Sequence, residues 1–348
     1  MKKTIRNIVL ILCMAIMIAV LAACAGGGSP ADNVAQTHPP AYNAPETPAE
    51  VPEQTDTDDT YNAEDVGSVI YNVVPTHDRE GFPITVPEQI ETIIAIGPSN
   101  TEILVALGFG DAIIQADRHS ADVPGIQPGI STFDIRALDI EYIIDLNPDI
   151  IFITGMARTG GDDDPLRQVS AVGITVIYMP SSASIPDIKE DIRFMAAVLG
   201  ATAEGEEIVE YMTAELDRIR EIGETITERR TVYFEISPAP HMFSFGSGTF
   251  LNEMIELVGA INVFADKEGW VQISDEALID INPDVILTSI SFLDDPIGEI
   301  MDRPGWGAIT AVQNGDVFMI DTASSNRPNH NIIRALREIA AAVYPDKF

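Results

Sequence analysis

One stretch of the sequence occurs twice and decides the fold. Residues 140–151 read IEYIIDLNPDII, and residues 275–286 read DEALIDINPDVI. In each copy a short helix is predicted to end at Asn-Pro, because proline lacks an amide N–H and restricts the residue before it. A buried strand follows, at 150–154 in the first copy and 285–288 in the second. Two copies about 135 residues apart predict two lobes of similar construction.

The residues before the first copy have the order of strands and helices that is typical of a parallel sheet. Residues 93–96 form a short apolar run, typical of a buried strand, and 113–116 form another. Between them, Ser99 and Glu102 match a capping box, so a helix is predicted at 102–107, with Gly108 as its C-terminal cap. Strand, helix and strand in this order indicate a βαβ unit.

Two helices are predicted between the copies. The first starts at Ser184 and carries an apolar stripe through Ile188, Ile192, Met195 and Leu199. The second covers about 203–227, and its length of roughly 37 Å would connect two lobes. We therefore predict an α/β fold of two lobes, each with a parallel sheet flanked by helices, joined by a single long helix. The expected boundaries are 71–185 for the N-terminal lobe, 186–229 for the helical connection and 230–348 for the C-terminal lobe.

The N-terminus has the layout of a secretory signal peptide. A basic start is followed by an apolar run from residue 8 to 25, which ends Leu-Ala-Ala-Cys. This resembles the bacterial lipobox, which implies cleavage after residue 23 and a lipid on Cys24. An uncleaved membrane helix is the alternative, since 18 apolar residues are at the lower limit for a span. In both cases the folded body lies outside the cytoplasm.

Residues 24–70 are predicted to be a disordered tether. Residues 25–65 contain six prolines, nine acidic residues and no lysine or arginine. Such a composition buries too little apolar surface to offset the entropy of ordering the chain. We expect ordered structure to begin near Ile84.

Charge and cysteine usage exclude several functions. The chain has 54 acidic and 20 basic residues, a net charge of −34, which repels nucleic acid. Both cysteines, Cys13 and Cys24, precede the folded body, so a disulfide framework, a thiolate metal site and a cysteine nucleophile are excluded there.

The ordered part resembles a known family over residues 84–348: the periplasmic-type binding proteins for iron–siderophore complexes, haem and cobalamin, which feed ATP-driven importers. The matching segments occur in the family's order. They are the strand, turn and helix at 96–108, the two Asn-Pro-Asp units, the helix end and strand at 173–177, the helix and Gly-Ala-Ile-Asn at 250–262, and the closing segments at 304–306 and 311–318.

The resemblance implies a lipid-anchored, monomeric binding protein, with an ABC permease and its ATPase as partners. Glu141 and Glu276 match the family's two glutamates that pair with permease arginines, whereas Glu102 is expected to cap its helix. The ordinary alternative for each is a solvated surface carboxylate. One exposed ion pair contributes little, but two at a fixed separation set orientation.

The ligand is expected in the cleft, at the carboxyl ends of the strands and in the facing loops. An iron–siderophore complex is favoured, because arginine binds carboxylate and catecholate oxygens through a planar fork. A corrinoid such as cobalamin comes second and haem third, since Arg136 stands where the haem binders have methionine. The predicted ligand-binding residues are Ser99, Asn100, Arg118, Arg136, Met156, Arg158, His241, Phe243, Trp270, Phe292 and Arg327.

An enzyme or a sensory lipoprotein on the same fold are the alternative classes. The sequence lacks a Gly-x-Ser-x-Gly elbow, a His-Glu-x-x-His motif and a phosphate-binding glycine loop with lysine, so we predict no catalytic residues. We also predict no bound metal and no cofactor, because the five histidines are widely spaced and no ligand set converges.

Overall fold

The first sheet is built around β1 and the strand of the first repeat copy. The computed structural model describes residues 73–157, 164 and 166–348. Its first five strands are β1 Ile93–Ile96, β2 Ile113–Asp117, β3 Thr132–Phe133, β4 Ile150–Thr154 and β5 Thr175–Met179. They pair in parallel in the order β3-β2-β1-β4-β5. The helices of this lobe are α1 Pro98–Ala106, α2 Ile140–Leu146 and α3 Leu166–Ala171.

Two helices follow this sheet, α4 Ile185–Leu199 and α5 Thr202–Gly223. The predicted start of α4 is confirmed, because Ser184 and Asp187 form a reciprocal capping box. The 22 residues of α5 span about 33 Å. The helix ends four residues before the predicted position. Gly223 lies so close to the end of the helix Phe250–Leu257 that a Cβ at this position would lie 2.2 Å from the carbonyl oxygen of Leu257.

The second sheet repeats the parallel arrangement. Its strands are β6 Thr231–Glu235, β8 Ile261–Asn262, β10 Val285–Thr288 and β11 Val317–Met319, in the order β11-β10-β6-β8. A separate antiparallel pair is formed by β7 Met242–Phe245 and β9 Trp270–Ile273. The helices of this lobe are α6 Phe250–Leu257, α7 Asp275–Ile281, α8 Pro296–Met301, α9 Thr310–Asn314, α10 Thr322–Asn326 and α11 Ile332–Val343.

The two repeat copies lie in equivalent surroundings, as the sequence predicts. Helices α2 and α7 end at Asn147 and Asn282, both in the left-handed conformation with φ of 44° and 54°. Asp149 and Asp284 then each accept hydrogen bonds from the amide and hydroxyl of a threonine at the start of the neighbouring strand. The Asn-Pro-Asp unit therefore anchors a central strand in each lobe.

One hydrophobic core continues through both lobes. Side chains of β1, β4, α4, α5, β6, β10 and α11 form a single buried cluster, and each sheet has a second, local cluster on its other face. The described residues from 73 to 348 accordingly belong to one compact unit. The boundaries at 185/186 and 229/230 stay a prediction. Within the part of the chain that the structure describes, no helix is long and apolar enough to span a membrane.

Two predictions about local structure are wrong. Helix α1 begins at Pro98, with Gly97 at the cap position at φ 110°, and no side chain caps it, because Ser99 already lies inside its first turn. Ordered contacts also begin before Ile84, since the hairpin of His77 and Pro83 places Asp78 in a buried position. The signal peptide, Cys24 and the tether lie outside the described residues.

Candidate ligand-binding cleft

The carboxyl ends of both sheets border a cavity of about 390 Å³. Its described wall from the first lobe consists of residues 97–100, Ile103, Thr154 and 179–182. The facing wall comes from Ile236, the start of α6, Trp270 and residues 326–328. Asp191 of α4 completes it. In open parallel sheets ligands bind at the carboxyl ends of strands, so we assign the ligand to this cavity rather than to the groove of about 610 Å³ beside α4, α5 and α6.

The first-lobe wall is held by a buried carboxylate at the end of β2. Asp117 accepts hydrogen bonds from the amides of Gly97 and His119, both at 2.8 Å, and from the hydroxyl of Ser120 at 2.5 Å. Thr101 of α1 donates to the same Ser120 hydroxyl. These bonds fix the turn between β1 and α1, which presents Ser99 and Asn100 to the cavity.

The two lobes are joined beside the cavity by Glu102. This carboxylate is 8% exposed and accepts hydrogen bonds from the guanidinium of Arg327 and from the amides of Asn329, at 2.7 Å, and Asn331, at 2.8 Å. The prediction that Glu102 caps its helix is therefore wrong, because its carboxylate bonds the opposite lobe. Arg327 also donates to the carbonyl of His119 at 3.1 Å. Arg327 thus lines the cavity with its charge already paired.

A second charged pair lies at Asp191. Its carboxylate is 4% exposed and accepts hydrogen bonds from Nε of Arg79, at 2.8 Å, and from the hydroxyl of Ser182. Burial raises the pKa of the Asp191 carboxyl above its ordinary value of 3.8, and the bonds from Ser182 and Arg79 oppose that shift. Both charged side chains among the described lining residues, Asp191 and Arg327, therefore form ion pairs within the protein.

The predicted ligand-binding residues divide into three groups. Ser99, Asn100, Trp270 and Arg327 line the cavity. Outside the described lining are Arg118, which pairs with Asp134 at 2.9 Å, the exposed Arg136, His241 and Phe292, and the half-buried Phe243. Met156 belongs to a short 3-10 turn, and Arg158 lies outside the described residues.

Sequence reasoning missed several lining residues, of which Asp191 is the most informative. It lies between Ile188 and Ile192 on the buried face of α4, where an acidic residue interrupts the apolar stripe. That interruption was a usable signal, because a buried carboxylate needs partners. Ser182, Met179, Phe250 and Leu251 carried no comparable signal in the sequence.

The two glutamates of the repeat lie in the first turns of α2 and α7. Glu141 and Glu276 are both exposed, and in the described part of the chain neither forms an ion pair. An acidic residue in the first turn of a helix is also stabilised by the helix dipole. The geometry therefore leaves both carboxylates accessible to a partner without deciding their role.

The described residues hold no group of three or more histidine, cysteine or acidic side chains arranged to bind a metal ion. The fold and the cavity are those of a two-lobed α/β solute-binding protein, with a candidate ligand cavity between the lobes.

Comparison with known proteins agrees with this class. The periplasmic binding protein family matches residues 93–323. An uncharacterized ABC transporter substrate-binding lipoprotein of Bacillus subtilis, YvrC, is 30% identical over 79% of this chain and 87% of its own length. The cobalamin-binding protein of Halobacterium salinarum is 23% identical over 77% of this chain and 73% of its own.

Among solved structures, a possible iron-binding, periplasmic solute-binding protein from Staphylococcus epidermidis superposes with a TM-score of 0.65 at 26% identity, covering 74% of this chain and all of its own. This chain belongs to the periplasmic binding protein family and is a substrate-binding protein of an ABC transporter. It is a binding protein and not an enzyme, as the sequence predicts.

Proposed function

We propose that this chain is a lipid-anchored, extracytoplasmic binding protein that captures a corrinoid and delivers it to the permease of an ABC importer. The observation that carries the proposal is that the charged side chains of the cavity wall are ion-paired within the protein. Its two described charged side chains, Asp191 and Arg327, are each paired with another residue of the protein. A ligand with an uncharged rim fits such a wall better than an anionic one, because a buried unpaired charge is costly.

The arginines that favoured an iron–siderophore complex do not support it. Arg118 and Arg136 lie outside the described cavity lining, and Arg327 is bound to Glu102. Arg158 lies outside the described residues. A ferric siderophore therefore becomes the second candidate. A complex whose hydroxamate groups balance the charge of Fe³⁺ fits the cavity better than a catecholate complex, which keeps a net negative charge.

The apolar part of the wall suits a large ring. Trp270 lines the cavity with 61% of its surface exposed, and Ile103, Met179, Phe250 and Leu251 add apolar surface. Corrinoids have an apolar macrocycle with carboxamide side chains, so they combine a large hydrophobic face with an uncharged rim. The similarity to the cobalamin-binding protein of Halobacterium salinarum supports the same choice.

Haem fits less well. Its two propionates would need cations, and its iron would need an axial ligand. His241 is exposed and lies outside the described lining.

Delivery is proposed to use the two repeat glutamates. Glu141 and Glu276 are exposed on helices that the Asn-Pro-Asp units hold in equivalent positions. Two carboxylates presented by one compact unit can engage two permease cations at once, which is stronger than either pair alone. A sensory lipoprotein with the same body would not need this pair. The anchor on Cys24 and the monomeric state are part of the same proposal.

The ligand is tested by calorimetry on the purified protein with cyanocobalamin, ferrioxamine, a ferric catecholate and haemin. We expect cyanocobalamin to bind with a Kd below about 1 µM, and the catecholate and haemin to bind about 100-fold more weakly. Replacing Trp270 by alanine should weaken corrinoid binding about tenfold, since it removes a stacking face.

Phe292 provides the matched control, because it is also a largely exposed aromatic residue, at 73%, but lies outside the described lining. Phe292→Ala should leave the corrinoid affinity unchanged. Tight binding of the catecholate or of haemin, with no binding of cyanocobalamin, would contradict the proposal.

A further inference from the structure

Asp191 gives the cavity wall a fixed hydrogen-bond acceptor. Each of its carboxylate oxygens accepts one bond from the protein, Oδ1 from Arg79 and Oδ2 from Ser182. An ionised carboxylate has about four lone-pair positions, so acceptor capacity remains. Because the side chain lines the cavity, this acceptor is part of the cavity wall.

The partner of Asp191 comes from an unusual place in the chain. Arg79 belongs to the hairpin of His77 and Pro83, which precedes β1. The family match begins at residue 93, so this hairpin lies outside it. The hairpin packs against the carboxyl end of β4, since a Cβ on Gly155 would lie 2.6 Å from a carboxylate oxygen of Glu80. A segment outside the family match thus supplies the ion-pair partner of a cavity residue.

The pair has a consequence for ligand choice. The guanidinium of Arg79 and the hydroxyl of Ser182 favour the ionised form of Asp191 against its burial. An ionised carboxylate accepts N–H or O–H donors and repels another carboxylate. The Asp187 carboxylate on the same helix raises the pKa of Asp191, as burial does. Arg79 is the cation that opposes both effects.

We infer that Asp191, positioned by Arg79 and Ser182, selects ligands whose rim donates hydrogen bonds, such as carboxamides, and rejects the corresponding carboxylates. The inference rests on the proposed corrinoid function and deepens it. It assigns the discrimination to Asp191 of α4 and to a hairpin that the family match does not include.

The test compares cyanocobalamin with its monocarboxylic acids, in which one propionamide side chain is hydrolysed. Calorimetry at pH 7.5 measures the affinity ratio of amide to acid. The wild type should prefer the amide about tenfold or more for the isomer whose side chain faces Asp191. Asp191→Asn should reduce that ratio to about two or less, mainly by improving acid binding, because Asn lacks the charge.

Arg79→Met separates a positioning role from a merely structural one. Without the cation, Asp191 should take up a proton at a higher pH than in the wild type. On acidification, the preference for the amide should therefore be lost at a higher pH in Arg79→Met than in the wild type. Arg118→Met is the matched control, because it removes a similar arginine–aspartate pair outside the described lining. Its ratio should equal that of the wild type.

The outcomes separate this inference from the proposed function. Corrinoid binding with equal affinity for amide and acid in every isomer, or an unchanged ratio in Asp191→Asn, overturns the selection by Asp191 and leaves the corrinoid function standing. Absence of any corrinoid binding overturns both.

Discussion

The two copies of the repeat hold a helix in the same position but anchor it to different degrees. In both lobes the helix ends at a left-handed asparagine, and an aspartate binds the start of the neighbouring strand. In the C-terminal lobe, α7 is also tied through Asp275, which accepts a 2.7 Å hydrogen bond from the indole of Trp306. In the N-terminal lobe, α2 has an edge contact between Tyr142 and Phe133 in place of this bond.

Behind Trp306 lies a buried ion pair. The Arg303 guanidinium lies 4.4 Å from the ring centroid of Trp306 and binds Glu235, which is 1% exposed, at the end of β6. Among the described ion pairs of the N-terminal lobe, Arg118–Asp134 connects two exposed side chains instead. The Asn-Pro-Asp unit shared by the two copies therefore encodes where each helix lies. Positions that differ between the copies, together with their partners elsewhere in the chain, decide how firmly each helix is held.

The largest expected effect comes from removing the buried cation. Arg303→Met leaves Glu235 without its ion-pair partner, so the free energy of unfolding should fall by about 3–5 kcal/mol, measured by urea denaturation at pH 7. Burial already raises the pKa of Glu235 above its ordinary value of 4.5, and losing Arg303 raises it further. A raised folded-state pKa costs stability as pH rises through it, so the deficit should shrink as the pH falls toward 4.5.

Two further variants delimit this result. Combining Arg303→Met with Glu235→Gln should recover part of the lost stability, because the buried charge is gone. Arg118→Met in the other lobe should cost less than about 1 kcal/mol. Equal losses for Arg303→Met and Arg118→Met would remove the difference between the lobes.

An intermediate effect is expected from the two repeat aspartates. Asp149 accepts bonds from two amides and a hydroxyl, whereas Asp284 accepts from one amide and one hydroxyl. At roughly 1 kcal/mol per bond, Asp149→Ala should cost about 3 kcal/mol and Asp284→Ala about 2 kcal/mol. Thermal and urea unfolding of both variants at pH 7 measure the difference.

The pH dependence of the first variant gives a second check. The amide of Glu91 is the main cause that holds the pKa of Asp149 below its ordinary value of 3.8. A lowered folded-state pKa gives stability that is present above pH 3.8 and is lost as pH falls through the lowered value. The deficit of Asp149→Ala should therefore be full at neutral pH and narrow below about pH 4. A deficit that grows on acidification would contradict the assignment.

The smallest effect on stability is expected from the exposed glutamates. Glu141→Lys and Glu276→Lys should each change the free energy of unfolding by less than about 1 kcal/mol, because each acts only through the helix dipole. Ligand affinity should not change. In proteoliposomes carrying the importer, the double variant should lose ligand-dependent stimulation of the ATPase about tenfold or more, and each single variant less.

Glu207 on α5 supplies the matched control, since it is exposed and lies outside the repeat. Glu207→Lys should stimulate the ATPase as the wild type does. Full stimulation by the double variant would exclude docking through the repeat pair.

Much of the fold was readable from local pattern. Proline and asparagine restrict the backbone whatever surrounds them, so the ends of α2 and α7 and the starts of β4 and β10 were predictable. The start of α1 was not, because Ser99 and Glu102 fit a capping box while Pro98 is itself a good first helical residue. Glu102 then became available for partners more than 200 residues away, which no local rule reveals.

The site was less predictable than the fold for the same reason. Loop position identified Ser99, Asn100, Trp270 and Arg327, since loops at strand ends face the cavity. Loop position does not show whether an arginine is ion-paired within the protein, so it overestimates how many arginines are available to a ligand. Asp191 depends on Arg79, whose segment was expected to precede the ordered body, and such pairing exists only after folding.

The bond between Glu102 and its three partners has a mechanical consequence. Separating the two walls would break the ion pair between the buried Glu102 carboxylate and Arg327. It would also leave the side-chain amides of Asn329 and Asn331 without their hydrogen-bond acceptor. Spontaneous separation of the two walls at this point is thereby made less frequent, so the Glu102 bonds favour the closed arrangement of the cavity wall.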